Sequence, residues 1–135
     1  MGTTAPPSFR IAICDDVAEF RRVLELLLEV EHDFTIVGQA SNGREAIELV
    51  TKVDVDVLLL DVAMPIMDGM EALPHVVEAS PATSVIMLTG FGTAAKRRRA
   101  KELGAAGYVE KGLAPNALID AIRLESQKQA ARTRS

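Results

Sequence analysis

The sequence predicts an α/β domain in which five parallel strands alternate with five helices. Short apolar runs typical of buried strands alternate along the chain with longer segments of helical periodicity. The third of these runs is continuously apolar, which is typical of a parallel sheet that is covered on both faces. With 135 residues, the chain has the length of about one domain.

The first part of the chain contains two predicted strands and two predicted helices. Phe9–Cys14 is a short, mostly apolar run that stops at two aspartates, and it predicts the first strand. Segment 17–31 carries its apolar side chains on one stripe and predicts the first helix. The second strand is expected at Phe34–Ala40. Asn42 then caps the second helix, with Glu45 as its capping-box partner.

The middle of the chain contains the third and fourth predicted strands. The continuously apolar run at 57–60 is the third strand. A loop with proline and glycine at 64–69 leads into a short helix that ends before Pro81. The fourth strand is expected at 84–88. This order continues the alternation of strand and helix that predicts right-handed crossovers.

The last part of the chain contains one short strand between two helices. Thr93 can cap the fourth helix, and Gly104 marks its end. Residues 107–109 predict the fifth strand. Pro115 suits the first turn of a last helix that reaches about Gln127.

The chain is expected to form one domain at 9–129. Residues 1–8 are small, polar and proline-containing, and we expect them to form a flexible leader. Residues 130–135 are expected to form a frayed tail. The pattern contains neither an internal repeat nor a linker, which is typical of a single domain.

The composition excludes several classes of protein. Apolar residues make up 48% and charged residues 25% of the chain, which are ordinary values for a globular domain. The net charge of −4 argues against direct binding of nucleic acid by this domain. Cys14 is the single cysteine, so an internal disulfide cannot form. The apolar runs are too short for a bilayer span and the start lacks a signal-peptide pattern, so we expect a cytoplasmic location without membrane contact.

Polar side chains follow the strands of the predicted sheet. Asp15 and Asp16 follow the first strand, Asp61 the third, Thr89 the fourth and Lys111 the fifth. The carboxyl ends of parallel strands meet at one edge of a sheet, which is also where ligands bind. We therefore expect these five side chains to lie close together.

The chemistry of this set predicts phosphoryl transfer at a metal site. Crowded carboxylates repel one another unless a cation intervenes, and Mg²⁺ prefers oxygen ligands. An aspartate can also act as a nucleophile toward phosphorus. Lys111 and Thr89 can then contact the phosphoryl oxygens. A single aspartate at the end of a strand is a helix cap or turn residue about as often as it is a functional residue. Capping, however, explains neither the doubled aspartate nor the lysine.

The sequence resembles a response regulator receiver domain over 9–123. Four motifs carry the resemblance through their order and spacing: the acidic pair in ICDD, the stretch LLLDVAMPIMDG, the TG after the fourth strand, and GYVEK. The resemblance implies a flavodoxin-like, doubly wound sheet with the strand order 2-1-3-4-5. It also implies a phosphorylation-dependent signalling switch that is a phosphoacceptor and not an enzyme.

The resemblance assigns roles at the acidic end of the sheet. Asp61 is implied to be the phosphoacceptor. Asp16 and Asp61 would bind Mg²⁺ or Mn²⁺ through their side chains, Ala63 through its backbone carbonyl, and Asp15 through a water molecule. A histidine kinase or a phosphotransfer protein would supply the phosphoryl group.

The resemblance also assigns a switch. Thr89 would be the switch hydroxyl, Gly90 would leave room for the phosphoryl group, and Lys111 would pair with the phosphate. Tyr108 would turn inward when Thr89 moves. The face formed by the fourth helix, fifth strand and fifth helix would then control an output partner or an attached output domain, and it could also form a homodimer.

The chain departs from the family pattern at three places. Gly112 follows the lysine where proline is frequent, so that loop should be pliable. Ala114 precedes Pro115 where an aspartate is frequent, and alanine is the weaker cap. Ala63 and Phe91 occupy two positions that influence phosphate lifetime, and neither can hold a hydrolytic water by hydrogen bonds. We therefore expect slow self-dephosphorylation.

A basic run lies on the predicted fourth helix. Its members are Lys96, Arg97, Arg98, Arg99 and Lys101. The run is either a solvated helix face or a docking surface for an acidic partner or a second copy of the domain.

Three alternative functions are less consistent with the residues. A haloacid-dehalogenase-type phosphatase usually carries a second aspartate two positions after the first, where this chain has Ala63. A flavin-binding electron carrier should have a first loop rich in Ser, Thr and Gly, whereas this loop begins with Asp15 and Asp16. A phosphorylation-independent interaction module usually lacks one of the aspartates or the lysine, and none is missing here.

Overall fold

The computed structural model describes residues 8–112 and 115–134, with 132–134 described as backbone only. In this part of the chain, five strands alternate with five helices. The strands are β1 (Phe9–Cys14), β2 (Phe34–Ala40), β3 (Val57–Asp61), β4 (Ser84–Thr89) and β5 (Gly107–Glu110). The helices are α1 (Ala18–Glu29), α2 (Gly43–Lys52), α3 (Gly69–Ala79), α4 (Ala94–Glu102) and α5 (Pro115–Arg134).

The strands form one parallel sheet in the order β2-β1-β3-β4-β5, which confirms the predicted fold class. Strand β2 lies on one side of β1, and the chain then crosses to place β3 on the other side of β1. The strand order therefore reverses between β1 and β3. In this register Cys14 lies opposite Leu60, and Asp61 lies opposite Leu88. The carboxyl ends of β1 and β3 therefore flank the place where such sheets bind ligands.

The apolar core lies on both faces of the sheet. Alternate residues of β3 belong to two separate clusters: Leu58 and Leu60 to the cluster beneath α2 and α3, and Val57 and Leu59 to the cluster beneath α1 and α5. All five residues of β3 are buried, as expected for a strand covered on both sides. Cys14 is a buried core residue, as predicted, and burial raises the pKa of its thiol to about 12.

The helix starts confirm part of the predicted capping. Asn42 accepts a hydrogen bond from the Glu45 N–H at 2.9 Å, as predicted. In the predicted capping box, the Glu45 carboxylate would accept from the N–H of the capping residue Asn42. It accepts instead from the N–H and hydroxyl of Ser41, the residue before the cap. A complete capping box forms at α3, between Asp68 and Glu71, and was not predicted.

Helix α5 is longer than the sequence pattern indicated. It begins at Pro115 as predicted, but it continues to Arg134, so the predicted end at about Gln127 is wrong. Residues 128–134 contain no glycine or proline that would end a helix. The side-chain amide of Gln129 also donates to the Asp56 carbonyl at 2.7 Å, which docks this end of the helix on the sheet.

Some predicted features lie outside the described residues. They include residues 1–7 of the leader, Ala114 and the last residue of the tail. The division into leader, domain and tail stays a prediction. Among the described helices, none combines the length and the hydropathy that a membrane span requires.

Candidate functional site

Three carboxylates converge at the carboxyl ends of β1 and β3. Asp15 and Asp61 continue buried strands and are buried themselves, whereas Asp16 begins the next loop and is exposed. One carboxylate oxygen from each of the three residues lies within 4.8 Å of the other two. The structure thus brings together aspartates that are 45 residues apart in the sequence, at the edge where the strand pattern predicted them.

Lys111 bridges the two buried carboxylates. Its Nζ lies 2.6 Å from Asp15 Oδ2 and 3.1 Å from Asp61 Oδ1. The Phe20 ring covers the ammonium group, with 4.4 Å between Nζ and the ring centroid. Burial by itself lowers the pKa of Lys111, but the hydrogen bonds to both carboxylates outweigh it and raise the pKa. The lysine is therefore a fixed positive charge.

One ammonium group does not balance three carboxylates. The pKa of Asp61 is raised, first because burial disfavours the charged form and then because Asp15 and Asp16 repel it. The hydrogen bond from Lys111 only reduces this shift. Clustered carboxylate oxygens with excess negative charge are a donor set that suits a small divalent cation such as Mg²⁺.

Asp15 is held by hydrogen bonds at four atoms. Its Oδ1 accepts from the Val17 N–H at 2.8 Å, and its Oδ2 accepts from Lys111. Its N–H donates to the Ala40 carbonyl at 3.0 Å, and its carbonyl accepts from Arg21 Nη1 at 2.5 Å. Arg21 was not predicted to take part, because nothing in the local sequence pattern indicates which carbonyl a helical arginine reaches.

Glycine at position 69 is required by the backbone that carries Asp61. A Cβ atom on Gly69 would lie 2.0 Å from the Asp61 carbonyl oxygen, which is a severe clash. The Gly69 N–H donates to the Val62 carbonyl at 2.8 Å and closes the loop on the strand end. The Asp-Gly pair that indicated turn chemistry in the sequence therefore also permits the close approach of helix α3 to the site.

Ile66 in the same loop has a backbone φ of 70°, a conformation unfavourable for a β-branched residue. Its side chain is 75% exposed, so the burial of apolar surface contributes little stability that could offset the backbone strain. We expect Ile66→Asn to stabilise the protein by about 1 kcal/mol, because asparagine tolerates the left-handed region. Urea unfolding would measure the change, with Ile66→Val as the matched control that keeps the branched side chain. An Asn variant no more stable than the Val variant would contradict this account.

The predicted switch residues lie next to one another. Thr89 is buried, and its hydroxyl accepts from the Phe91 N–H at 3.2 Å. The Tyr108 hydroxyl is buried without a hydrogen-bond partner among the described residues. A Cβ atom on Gly92 would lie 3.0 Å from Tyr108 Cε1 and 3.2 Å from Thr89 Cγ2, so both side chains pack against this loop residue. Gly92 was not identified from the sequence. By contrast, a Cβ atom on Gly90 would meet open space.

All five residues of the basic run on α4 are exposed. Within the described part of the chain, Arg99 forms an ion pair with Glu102 at 3.5 Å, and Arg97 lies over the Tyr108 ring at 5.3 Å. A groove of about 470 Å³ separates α4 from β5, and Arg98 and Lys101 also line it. The exposed charges thus lie beside the predicted switch tyrosine.

Comparisons with known proteins give one consistent family. Residues 11–123 match the family model described as response regulator receiver domain. The chain is 35% identical over 121 residues to YxjL, an uncharacterized transcriptional regulatory protein of Bacillus subtilis, covering 90% of this chain and 56% of that one. It is 35% identical over 113 residues to chemotaxis protein CheY of Halobacterium salinarum, covering 84% and 92%. The chain therefore spans a little over half of YxjL.

A solved structure supports the same likeness. The signal receiver domain of NarL from Mycobacterium tuberculosis matches with a TM-score of 0.82 and 30% identity, covering 87% of this chain and 94% of that one. The similarity thus extends over nearly the whole of both domains.

Proposed function

The chain belongs to the response regulator receiver domain family, and on that premise we propose that it is a switch that accepts a phosphoryl group on Asp61. The observation that carries this proposal is the arrangement around Asp61. Its buried carboxylate lies 3.1 Å from Lys111 Nζ, with the oxygens of Asp15 and Asp16 beside it. Asp61 is thus a carboxylate nucleophile next to both a fixed cation and a candidate metal site.

The proposed metal site is formed by oxygen ligands. The side chains of Asp16 and Asp61 and the backbone carbonyl of Ala63 would hold Mg²⁺ or Mn²⁺, with Asp15 linked through a water molecule. When bound, the cation would reduce the repulsion between the carboxylates and the phosphoryl oxygens. The three clustered carboxylates support this assignment.

The proposed reaction is an in-line displacement at phosphorus. An Asp61 carboxylate oxygen forms a bond to phosphorus, while the bond from phosphorus to the leaving group breaks and its electron pair leaves with that group. The leaving group is the imidazole of a histidine kinase or phosphotransfer protein, or acetate from acetyl phosphate. Lys111, whose Nζ already contacts Asp61, would donate to a phosphoryl oxygen, and the product is an acyl phosphate on Asp61.

The new charge would then change the balance between two conformations. Thr89, whose hydroxyl oxygen accepts from the Phe91 N–H, would move to donate its hydroxyl proton to the phosphoryl group. Tyr108 and Thr89 both pack against Gly92, so the Tyr108 side chain would move when Thr89 moves. The face formed by α4, β5 and α5 would change shape, which is a population shift biased by a covalent modification.

The output is proposed to pass through this face to a partner, an attached output domain or a second copy of the chain, in the cytoplasm. The exposed basic run on α4 supports docking of an acidic surface. Replacing Lys96, Arg98 and Lys101 by glutamine would test this point once a partner has been identified. Unchanged partner binding would leave the run as a solvated helix face.

Intact mass measured after incubation with acetyl phosphate tests the proposed function. We expect one added phosphoryl group in the presence of Mg²⁺ and none without it. A stable complex with beryllofluoride would support the same acceptor if the domain takes phosphate only from its own kinase. A folded protein that forms neither adduct would favour a phosphorylation-independent interaction module.

The acyl phosphate is expected to be long-lived, with a half-life of minutes or more. Ala63 and Phe91 lack side-chain groups that could orient a hydrolytic water, and the Phe91 side chain is 80% exposed. The loss of the added phosphoryl mass with time in Mg²⁺ buffer measures the half-life, and a value of seconds would contradict the expectation. Ala63→Asn should shorten the half-life several-fold, because an amide can hold a water, whereas Ala63→Val should leave it unchanged.

A further inference from the structure

We propose that Arg21 is a positioning residue for the metal site, because it holds the peptide unit that joins Asp15 to Asp16. This inference rests on the proposed function, in which these aspartates face a divalent cation. Arg21 lies on α1, outside the acidic cluster. Its Nη1 donates to the Asp15 carbonyl oxygen at 2.5 Å, and its Nε donates to Gln39 Oε1 at 3.2 Å.

The contact acts on Asp16 through the geometry of the peptide bond. The carbonyl of Asp15 and the N–H of Asp16 belong to one planar unit, so fixing the carbonyl fixes the direction in which the chain enters Asp16. The other side of Asp15 is already fixed, since its N–H donates to the Ala40 carbonyl at 3.0 Å. Together with the Val17 N–H, which donates to Asp15 Oδ1 at 2.8 Å, Arg21 thus restricts the rotation of this peptide unit.

Asp16 depends on this support more than its neighbours do. Asp15 and Asp61 are each held by Lys111, whereas Asp16 is exposed and forms no side-chain hydrogen bond or ion pair with the described residues. Its carboxylate nevertheless lies within the cluster of oxygens. The backbone must therefore place Asp16, and Arg21 is the side chain from outside the acidic cluster that orients that backbone.

Arginine is suited to this role in a way that lysine is not. The planar guanidinium group donates in two directions at fixed angles, so Arg21 can reach Asp15, just after β1, and Gln39 on β2 together. The Gln39 amide is oriented in turn, because its Nε2 donates to Glu25 at 2.7 Å. Helix α1 and the edge strand thus hold the guanidinium group in place.

A positioning role and a purely electrostatic role predict opposite results. The positive charge of Arg21 lies near the carboxylates, so its removal in Arg21→Gln would strengthen Mg²⁺ binding if charge alone mattered. If the guanidinium group positions the ligands, both Arg21→Gln and Arg21→Lys should weaken Mg²⁺ binding by about tenfold, as expected for groups that orient metal ligands. Arg21→Lys keeps the charge, so it isolates the geometric effect.

Urea unfolding at increasing Mg²⁺ concentrations tests the proposal. The stability without Mg²⁺ reports any general structural damage, and the additional stabilisation by Mg²⁺ gives the dissociation constant of the metal. Arg10→Gln is the matched control, because Arg10 lies near the start of β1, away from the acidic cluster, and pairs with Asp54 at the surface. The control should keep the affinity of the unmodified protein.

The outcomes separate the two proposals. A dissociation constant about tenfold higher in both Arg21 variants, with the control unchanged, supports the positioning role. An unchanged constant in Arg21→Lys, or a lower one in Arg21→Gln, overturns it. If Arg21→Gln does not fold, the Arg21→Lys result decides alone. Mg²⁺ that fails to stabilise even the unmodified protein would overturn the metal site of the proposed function, and the role of Arg21 with it.

Discussion

Asp61→Asn is expected to take up no phosphoryl group from acetyl phosphate under conditions in which the unmodified protein takes up one. The amide keeps the shape of the side chain but is not a nucleophile toward phosphorus. Lys111 keeps its ion pair with Asp15 at 2.6 Å when Asp61 is replaced, so the fold should survive the exchange. Intact mass spectrometry measures the result as the presence or absence of the adduct.

Asp54→Asn is the control for this experiment. Asp54 has an exposed side chain near Arg10, at the opposite edge of the sheet from the acidic cluster, so its loss should leave the adduct unchanged. An adduct that persists in Asp61→Asn would contradict the assignment and would point to Asp15 or Asp16 as the acceptor.

Asp61→Asn should also change the pH dependence of stability. Burial raises the pKa of Asp61, so the folded protein disfavours its charged form. The protonated Asp61 side chain therefore stabilises the folded state. This stabilisation is complete below the ordinary pKa of 3.8, and it is lost as the pH rises through the raised pKa that Asp61 has in the folded protein. In Mg²⁺-free buffer the variant should therefore be more stable than the unmodified protein at pH 7, and the difference should shrink below pH 4. Urea unfolding at both pH values measures it, and a less stable variant at pH 7 would contradict the sign.

Lys111→Met should cost about 3–5 kcal/mol of stability in Mg²⁺-free buffer at pH 7. The lysine is the shared partner of Asp15 and Asp61, and its loss leaves two buried carboxylates facing each other. The pKa of Lys111 is raised because its hydrogen bonds to both carboxylates outweigh the effect of burial. The charged lysine is thus favoured in the folded protein, so its stabilising contribution is complete below its ordinary pKa of 10.5 and is lost as the pH rises through the higher value in the folded state.

Urea unfolding with and without Mg²⁺ measures this effect. If the cation occupies the acidic cluster, Mg²⁺ should stabilise Lys111→Met by more than it stabilises the unmodified protein, because it replaces part of the missing positive charge. Lys52→Met removes an exposed lysine at the end of α2 and should change stability by less than about 0.5 kcal/mol. A loss as small as this in Lys111→Met would show that the buried carboxylates do not need the lysine.

Several features of the molecule could be predicted from local sequence patterns. Continuous apolar runs indicated buried strands, and Thr93 and Gly104 marked the two ends of α4, where the structure has them. The convergence of Asp15 and Asp61 followed from topology alone, because parallel strands present their carboxyl ends at one edge. The strand order came from the family resemblance, since the periodicity of a strand does not specify its neighbours.

Only the tertiary structure decided which groups pair within the site. Lys111 lies 96 residues from Asp15 and was expected to meet a phosphate, yet it already bridges two carboxylates. The reach of Arg21 to the Asp15 carbonyl and the extension of α5 past Gln127 were likewise not predicted. The physical reason is the same in each case. Periodicity and capping are determined by neighbours along the chain, whereas these contacts depend on how far apart separate segments lie once the core has packed.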